Sequence, residues 1–303
     1  MTVEMTTESI AQWAEEALRS RLSESACAWL EKSAHELRAG VDANRFCALF
    51  SSASRHARAV SAKLTLAEFA AAGELVPGWN PERWSLRVLL RASLLLSLGG
   101  LESEAGARII EEAFRYADEG EACALYASLC LLPDAGRFRK RSEEGCRTNM
   151  LSVFEANVCD TPYPSIHFDD VAWNQCLIKC VFVGAPLWRV VGLDGRLSPE
   201  LARMALDLVE ERASAGRPIQ PDLWLCLGAH EDERVVRYLT RELASGSPAG
   251  RAAAGYALAR ANLGHLLEPF REKEADPRIL RHFENALSGR HSQNLFGELD
   301  SAP

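Results

Sequence analysis

Apolar residues recur along this chain at intervals of three and four almost from end to end, the repeat of one face of an α-helix. Ile10, Trp13, Ala14, Ala17 and Leu18 make one stripe, Val236, Leu239 and Leu243 a second, and Ala252, Tyr256, Ala259 and Leu263 a third. Period-two alternation is scarce, and Val181–Val183 and Val190-Val191 are the only short strand candidates. The pattern predicts an all-α fold in one compact chain, either an irregular α-solenoid or stacked helical hairpins of the HEAT type. An irregular bundle is the alternative, because no strict long repeat is present.

Polar punctuation marks where these helices begin and end. Thr65-Leu66-Ala67-Glu68 has the spacing of a capping box. Asn80-Pro81, Ser198-Pro199, Ser247-Pro248 and Asp276-Pro277 each set a capping side chain before a proline at the first helical position, and Gln220-Pro221 is a weaker version. Gly40, Gly120, Gly216 and Gly228 fall where helices are expected to stop. The marks divide the chain into an N-terminal helical lobe (1–141), a central segment with a polar site (142–230), HEAT-like helices (231–290) and a polar tail (291–303) that frays or docks through Leu295 and Phe296; a single domain is the simpler alternative. The greasiest stretch, Leu86 to Leu101, is interrupted by Arg87 and Arg91 and is too short to span a bilayer, so it reads as a buried helix.

The central segment is unusual because polar groups are embedded in an apolar pattern. Residues 168–183 are expected to form a helix, apolar nearly all round beyond its first turn and therefore buried on most sides. Asp169 and Asp170 open it, where carboxylates complement the helix dipole. Asp170 and Asn174 share a face, as do Gln175 and Lys179. Upstream stand Asn149, Glu155, Asn157, Asp160, Tyr163 and His167, with Thr161-Pro162-Tyr163-Pro164 reading as a rigid extended loop that presents Asp160, Tyr163 and His167 to a common space. Downstream, Arg189 and Arg196 offer planar donor forks for a carboxylate or phosphate, unless Asp194 pairs with one of them. Burying an unpaired neutral polar group costs roughly 2–7 kcal/mol by transfer estimates. These groups therefore either satisfy one another or face a ligand.

Composition narrows the function. A net charge of −8 disfavours nucleic acid as the partner. The nine scattered cysteines lack a Cys-x-x-Cys and read as small reduced core residues of a cytosolic protein. Cys176 and Cys180 are four apart, but no further ligands have metal-site spacing, so neither metal nor cofactor is expected. The N-terminus lacks a signal-peptide core, and no Gly-x-Ser-x-Gly, His-Glu-x-x-His or P-loop is present. The basic run Arg137–Arg141 reads first as a solvated helix face and second as a contact for an anionic head group.

Asn149-Met150-Leu151-Ser152-Val153-Phe154-Glu155-Ala156, Tyr163-Pro164, Phe168–Gln175, Pro186–Arg189, Gly192–Asp194, Leu201–Arg203, Glu211–Arg217 and Pro221–Trp224 together resemble the EboA family. The resemblance implies a bacterial protein of a secondary-metabolite gene cluster that also encodes a prenyltransferase-like membrane protein, a sugar-phosphate-cyclase-like enzyme and hydrolase- or isomerase-like barrels. It supplies no catalytic residue. Family members tend to have Asn-Pro-Tyr-Pro where Thr161-Pro162-Tyr163-Pro164 stands, and Tyr-Phe-Asp where His167-Phe168-Asp169 stands, which makes His167 a poor indispensable base.

Three readings follow. The first is an accessory protein that binds a polar or prenyl-linked metabolite, or another enzyme of the cluster, through Asn149, Glu155, Asn157, Asp160, Tyr163, Asp170, Asn174, Lys179, Arg189, Asp194 and Arg196. The second is a metal-independent enzyme with Asp169 or Asp170 (or His167) as acid or base and Arg189 or Arg196 positioning an anionic substrate. The third is a scaffold whose polar network fixes helix register.

Overall fold

The computed structural model describes residues 7–230 and 232–299. Residues 1–6, Glu231 and the last four residues of the tail lie outside the described part. The described residues form α-helices and short 3-10 turns and no β-strand, with one isolated bridge between Ser61 and Ser85. Both strand candidates fall elsewhere. Val181–Val183 close the helix Asp170–Val183, and Val190 follows the turn Leu187–Arg189. Without a partner strand to pair with, β-branching there does not override helical packing. The chain divides into two compact units, Met1–His167 and Phe168–Pro303, and the division falls within the stretch 142–230.

In the first unit the helix Leu86–Leu96 is the centre of packing. Ser85 caps it, and every residue from Leu89 to Leu96 is buried, Arg91 included. Helices Thr7–Arg19, Glu24–Ala39, Ala43–His56 and Glu119–Ala127 pack around it. The stripe Ile10, Trp13, Ala14, Ala17 and Leu18 is the buried face of Thr7–Arg19. Trp13 and Trp84 stand edge-on to Trp79.

Two helix-end expectations are corrected here. Asn80-Pro81 starts a turn, in which the Asn80 side chain accepts from the Glu82 amide (2.9 Å); the helix waits for Ser85. Gly120 lies inside Glu119–Ala127, not at a helix end. A side chain at 120 would bring its Cβ to 3.3 Å from Arg91 Nη1, so this glycine makes room for a buried guanidinium.

The Thr65 capping box is present and carries a second duty. Arg21 forks onto the Glu68 carboxylate (2.7 and 2.6 Å) while its Nε donates to the Ala62 carbonyl (2.7 Å). The Arg21 fork, assisted by the Thr65 amide and hydroxyl, holds the Glu68 carboxyl down to about 2 from its ordinary 4.5, against a smaller opposing effect of burial. A depressed folded-state value means the stabilisation is complete above 4.5 and is lost as pH falls through about 2. Wild type is therefore expected to lose stability between those limits that Glu68→Gln does not lose. Urea melts of both proteins across that window test this, and parallel pH curves would refute it.

In the second unit the helix Pro248–Arg260 holds the central place, packed against Glu233–Ser245, Pro277–Leu287 and the 3-10 segment Pro221–Leu227. Its small residues serve close approach. A Cβ at Gly255 would stand 2.8 Å from the ring of buried Phe283. Ser198, Ser247 and Asp276 cap their helices as the sequence predicts, whereas Gln220 offers no side-chain cap and Pro221 opens only a 3-10 segment. On Glu233–Ser245 the buried line is Val235, Leu239 and Leu243, with Val236 half-buried. Ala259 and Leu263 are likewise half-buried. The tail docks within this unit: Gln293 Nε2 donates to the Trp188 and Val190 carbonyls (2.9 Å each), Phe296 is buried and Leu295 half-buried.

Candidate functional site

The helix Asp170–Val183 positions most of the candidate residues of the second unit. Asp169 is its N-cap, accepting from the Ala172 amide (2.9 Å). The expected burial on most sides is corrected. Val171 and Phe182 are 66% and 70% exposed, and Gln175 is exposed between them. Spacings of four and seven put these three on one solvent-facing stripe, which the apolar composition of the helix disguises. The opposite face buries Trp173, Asn174, Cys176, Leu177, Cys180 and Val181.

Asp170 and Arg196 come together. Arg196 Nη2 donates to Asp170 Oδ1 (2.8 Å), its Nη1 donates to the Phe168 carbonyl (3.0 Å), and its guanidinium lies over the Trp173 ring (4.8 Å). Trp173 Nε1 in turn donates to the Arg196 carbonyl (3.2 Å). One turn along from Asp170, Asn174 is only 5% exposed and makes no hydrogen bond among the described residues, although its amide is not sealed from solvent. Lys179 is half-buried, its ammonium over the Phe182 ring (5.1 Å), and Arg189 is half-buried in the turn Leu187–Arg189.

Asp194 does pair with an arginine, though neither of the two suggested. Arg260 Nη2 donates to its carboxylate (2.6 Å), and Gln293 exchanges hydrogen bonds with it at 3.3 Å in both directions. Arg260 and Gln293 lie 66 and 99 positions away, so no local spacing announced them.

The first unit holds the other candidates. Asn157 is 1% exposed and is satisfied locally: its Oδ1 accepts from Ser142 Oγ (2.7 Å), and its Nδ2 donates to the Ser142 carbonyl (2.8 Å). Tyr163 is buried with its hydroxyl donating to the Ala135 carbonyl (2.7 Å), and burial pushes its phenol up. The expected extended loop is partly a helical turn, Tyr163–His167, which tolerates Pro164 because a first helical turn needs no amide donors. His167 meets the Tyr163 ring at a tilt (centroids 4.5 Å apart, 46° between planes); burial lowers its imidazole and Asp134 opposes that. Asp160 adopts a left-handed backbone (φ 59°), and its carbonyl accepts from the Asn80 amide (2.8 Å). Glu155 is half-buried and Asn149 exposed. The arginines of the basic run are committed internally: Arg137 clamps the Leu101, Glu102 and Ser103 carbonyls, Arg139 pairs with Glu143, and Arg141 pairs with Glu111 and Glu144.

Arg38, paired with Glu15, borders two clefts of about 430 and 270 Å³ on the flanks of helix Thr7–Arg19. Among the described residues no group of three His, Cys, Asp or Glu side chains is arranged to hold a metal ion, and no helix is long and apolar enough to cross a membrane. None of the nine cysteines is in a disulfide; four are buried and five half-buried.

A family model described as "Metabolite traffic protein EboA" matches residues 8–228, well over half of the chain. The chain belongs to the EboA family. No curated protein and no solved structure matches it. The EboA match takes in every candidate residue from Asn149 to Arg196, and it ends before the helices Glu233–Ser245, Pro248–Arg260 and Pro277–Leu287.

Proposed function

We propose that this EboA-family protein is a helical accessory protein that binds a metabolite, polar or carried on a lipid, without converting it, and that Asn174, Asp170 and Arg196 contact the ligand. The reading is supported most by Asn174, a nearly buried side chain whose amide makes no hydrogen bond among the described residues and is not sealed from solvent, beside the charged pair of Asp170 and Arg196. A ligand with a complementary carbonyl or hydroxyl would find that amide unengaged. The description of the family as a metabolite traffic protein agrees with a ligand that is held, not transformed. In this reading the ligand and the partner enzymes belong to the bacterial secondary-metabolite cluster that the resemblance implies, and Lys179 and Arg189 contribute to the polar surroundings.

The enzymatic alternative draws less support. Asp169 is engaged as a helix cap, and the Asp170 side chain is 92% exposed, where nothing excludes water from a reaction. The test is native mass spectrometry of the full chain purified from its own host, beside Asn174→Leu and Asp170→Asn. Wild type is expected to retain a small molecule that both variants lose. Retention of the small molecule by both variants would overturn the reading.

A further inference from the structure

A cleft of about 620 Å³ opens in the second unit, beyond the residues that the family model matches. It lies where the first turns of Pro248–Arg260 and Pro277–Leu287 face each other, floored by Pro248, Ala252, Ile279 and Leu299. His282 lines it and is only 6% exposed. Behind His282, fully buried Tyr256 holds its hydroxyl 2.8 Å from Nδ1, and Asn285 Nδ2 donates to that hydroxyl (3.5 Å). With Asn285 donating to it, the phenol oxygen still has its own proton to give, and we take Nδ1, the acceptor within reach, to receive it. A neutral imidazole that accepts at Nδ1 carries its own proton on Nε2. Nε2 has no partner among the described residues, so the buried end of the cleft presents an unused N–H donor.

The charges around the mouth select what that donor meets. Arg278 is held by the Asp276 carboxylate (2.8 and 3.2 Å). Arg281 makes no ion pair among the described residues, and Glu298 stands across the cleft with the opposite sign. One uncommitted cation and one N–H donor suit a singly charged acceptor. A dianionic phosphate would meet the same two donors against both Asp276 and Glu298, and an ammonium would face the donors with no acceptor at the buried end.

We propose that this cleft is a second ligand site, which takes a small monocarboxylate with an apolar body and receives its carboxylate on His282 Nε2 and Arg281. The body lies on Pro248, Ala252, Ile279 and Leu299. Burial and the Arg281 charge pull the His282 imidazole down, in keeping with a neutral donor in the empty cleft.

The probes are octanoate, octylammonium and octyl phosphate, titrated calorimetrically into the full chain. Octanoate is expected to bind most tightly of the three. His282→Phe keeps the ring and removes the donor; it and Arg281→Gln are each expected to weaken octanoate about tenfold, the loss of one charge-assisted hydrogen bond. Glu298→Gln is expected to tighten it. No binding of octanoate to wild type, equal or tighter binding of either other probe, or unchanged affinity in Arg281→Gln would overturn the proposal. Arg281 is exposed, so that variant decides the matter even if His282→Phe does not fold.

Discussion

Replacing Glu121 by alanine is expected to destabilise the first unit by about 3–5 kcal/mol, the usual cost of leaving one member of a buried ion pair alone. Arg91 sits in the central helix with its side chain 2% exposed, and among the described residues Glu121, with Oε1 3.4 Å from Nη2, is the carboxylate paired with it. Its other contacts are the Phe50 carbonyl (3.3 Å) and the Phe50 ring, while Nη1 has no partner among the described residues. Burial lowers the Arg91 value, opposed first by the Glu121 charge and then by Asp118, so Glu121 is the main support of the cation. Glu121 also closes the capping box with Asp118, accepting from its amide at 3.1 Å. Glu121→Gln keeps the box and removes the charge, which separates the two roles. Combining it with Arg91→Met should restore most of the lost stability, because an apolar side chain of similar length suits this core. A Glu121→Gln protein as stable as wild type in urea would show that the guanidinium is compensated by something other than its charge partner.

That pair also shows where sequence reading ends. The all-helical class and most helix starts were legible, because an amphipathic repeat and a cap are local: Thr65 with Glu68, Ser198 before Pro199, Ser247 before Pro248 and Asp276 before Pro277 act within one turn. Partners brought together by packing were not. Nothing near Asp194 points to Arg260, and nothing near Gly120 reveals that its missing side chain admits Arg91. The helix Asp170–Val183 illustrates a subtler loss. When nearly every position is apolar, the pattern contains no contrast from which to choose the exposed face, and the expectation of burial on most sides gives no sign that Val171 and Phe182 face solvent.

The candidate site was legible in the same uneven way. The polar residues of the central segment are identifiable by type, but the sequence offers Asp194, not Asp170, as the partner of Arg196, which packing brings to Asp170 from 26 positions away. Their division was not visible: Asn157 and Tyr163 spend their groups on the Ser142 hydroxyl and carbonyl and the Ala135 carbonyl, whereas Asn174 has no such outlet. His282 did leave a trace. It occupies a core position between Ile279 and Ala286 on an otherwise apolar face, and an imidazole there needs a polar partner or a ligand.

Gly106→Ala is expected to destabilise the protein by about 1–3 kcal/mol, against the direction of helix propensity. Gly106 lies in the first turn of helix Glu104–Tyr116 with an ordinary helical backbone, where alanine gains up to about 1 kcal/mol over glycine in the absence of contacts. Contacts decide otherwise. A Cβ there would fall 2.3 Å from the Gly100 carbonyl oxygen and 3.1 Å from Leu101 Cα, both main-chain atoms. Relief requires the loop 98–103 to move, and it is fastened at several points. The Ser103 amide and hydroxyl donate to the Gly100 carbonyl (2.9 and 2.6 Å), Gly100 holds a left-handed φ of 72°, and Arg137 clamps three successive carbonyls. Gly73→Ala is the matched control, because it lies in helix Leu66–Leu75 with open space around its Cβ position and is expected to stabilise by up to about 1 kcal/mol. Urea midpoints that shift in opposite directions for the two alanines support the packing account. A stabilised Gly106→Ala would mean that the loop yields, and Arg137→Ala combined with it would then be no less stable than Arg137→Ala alone.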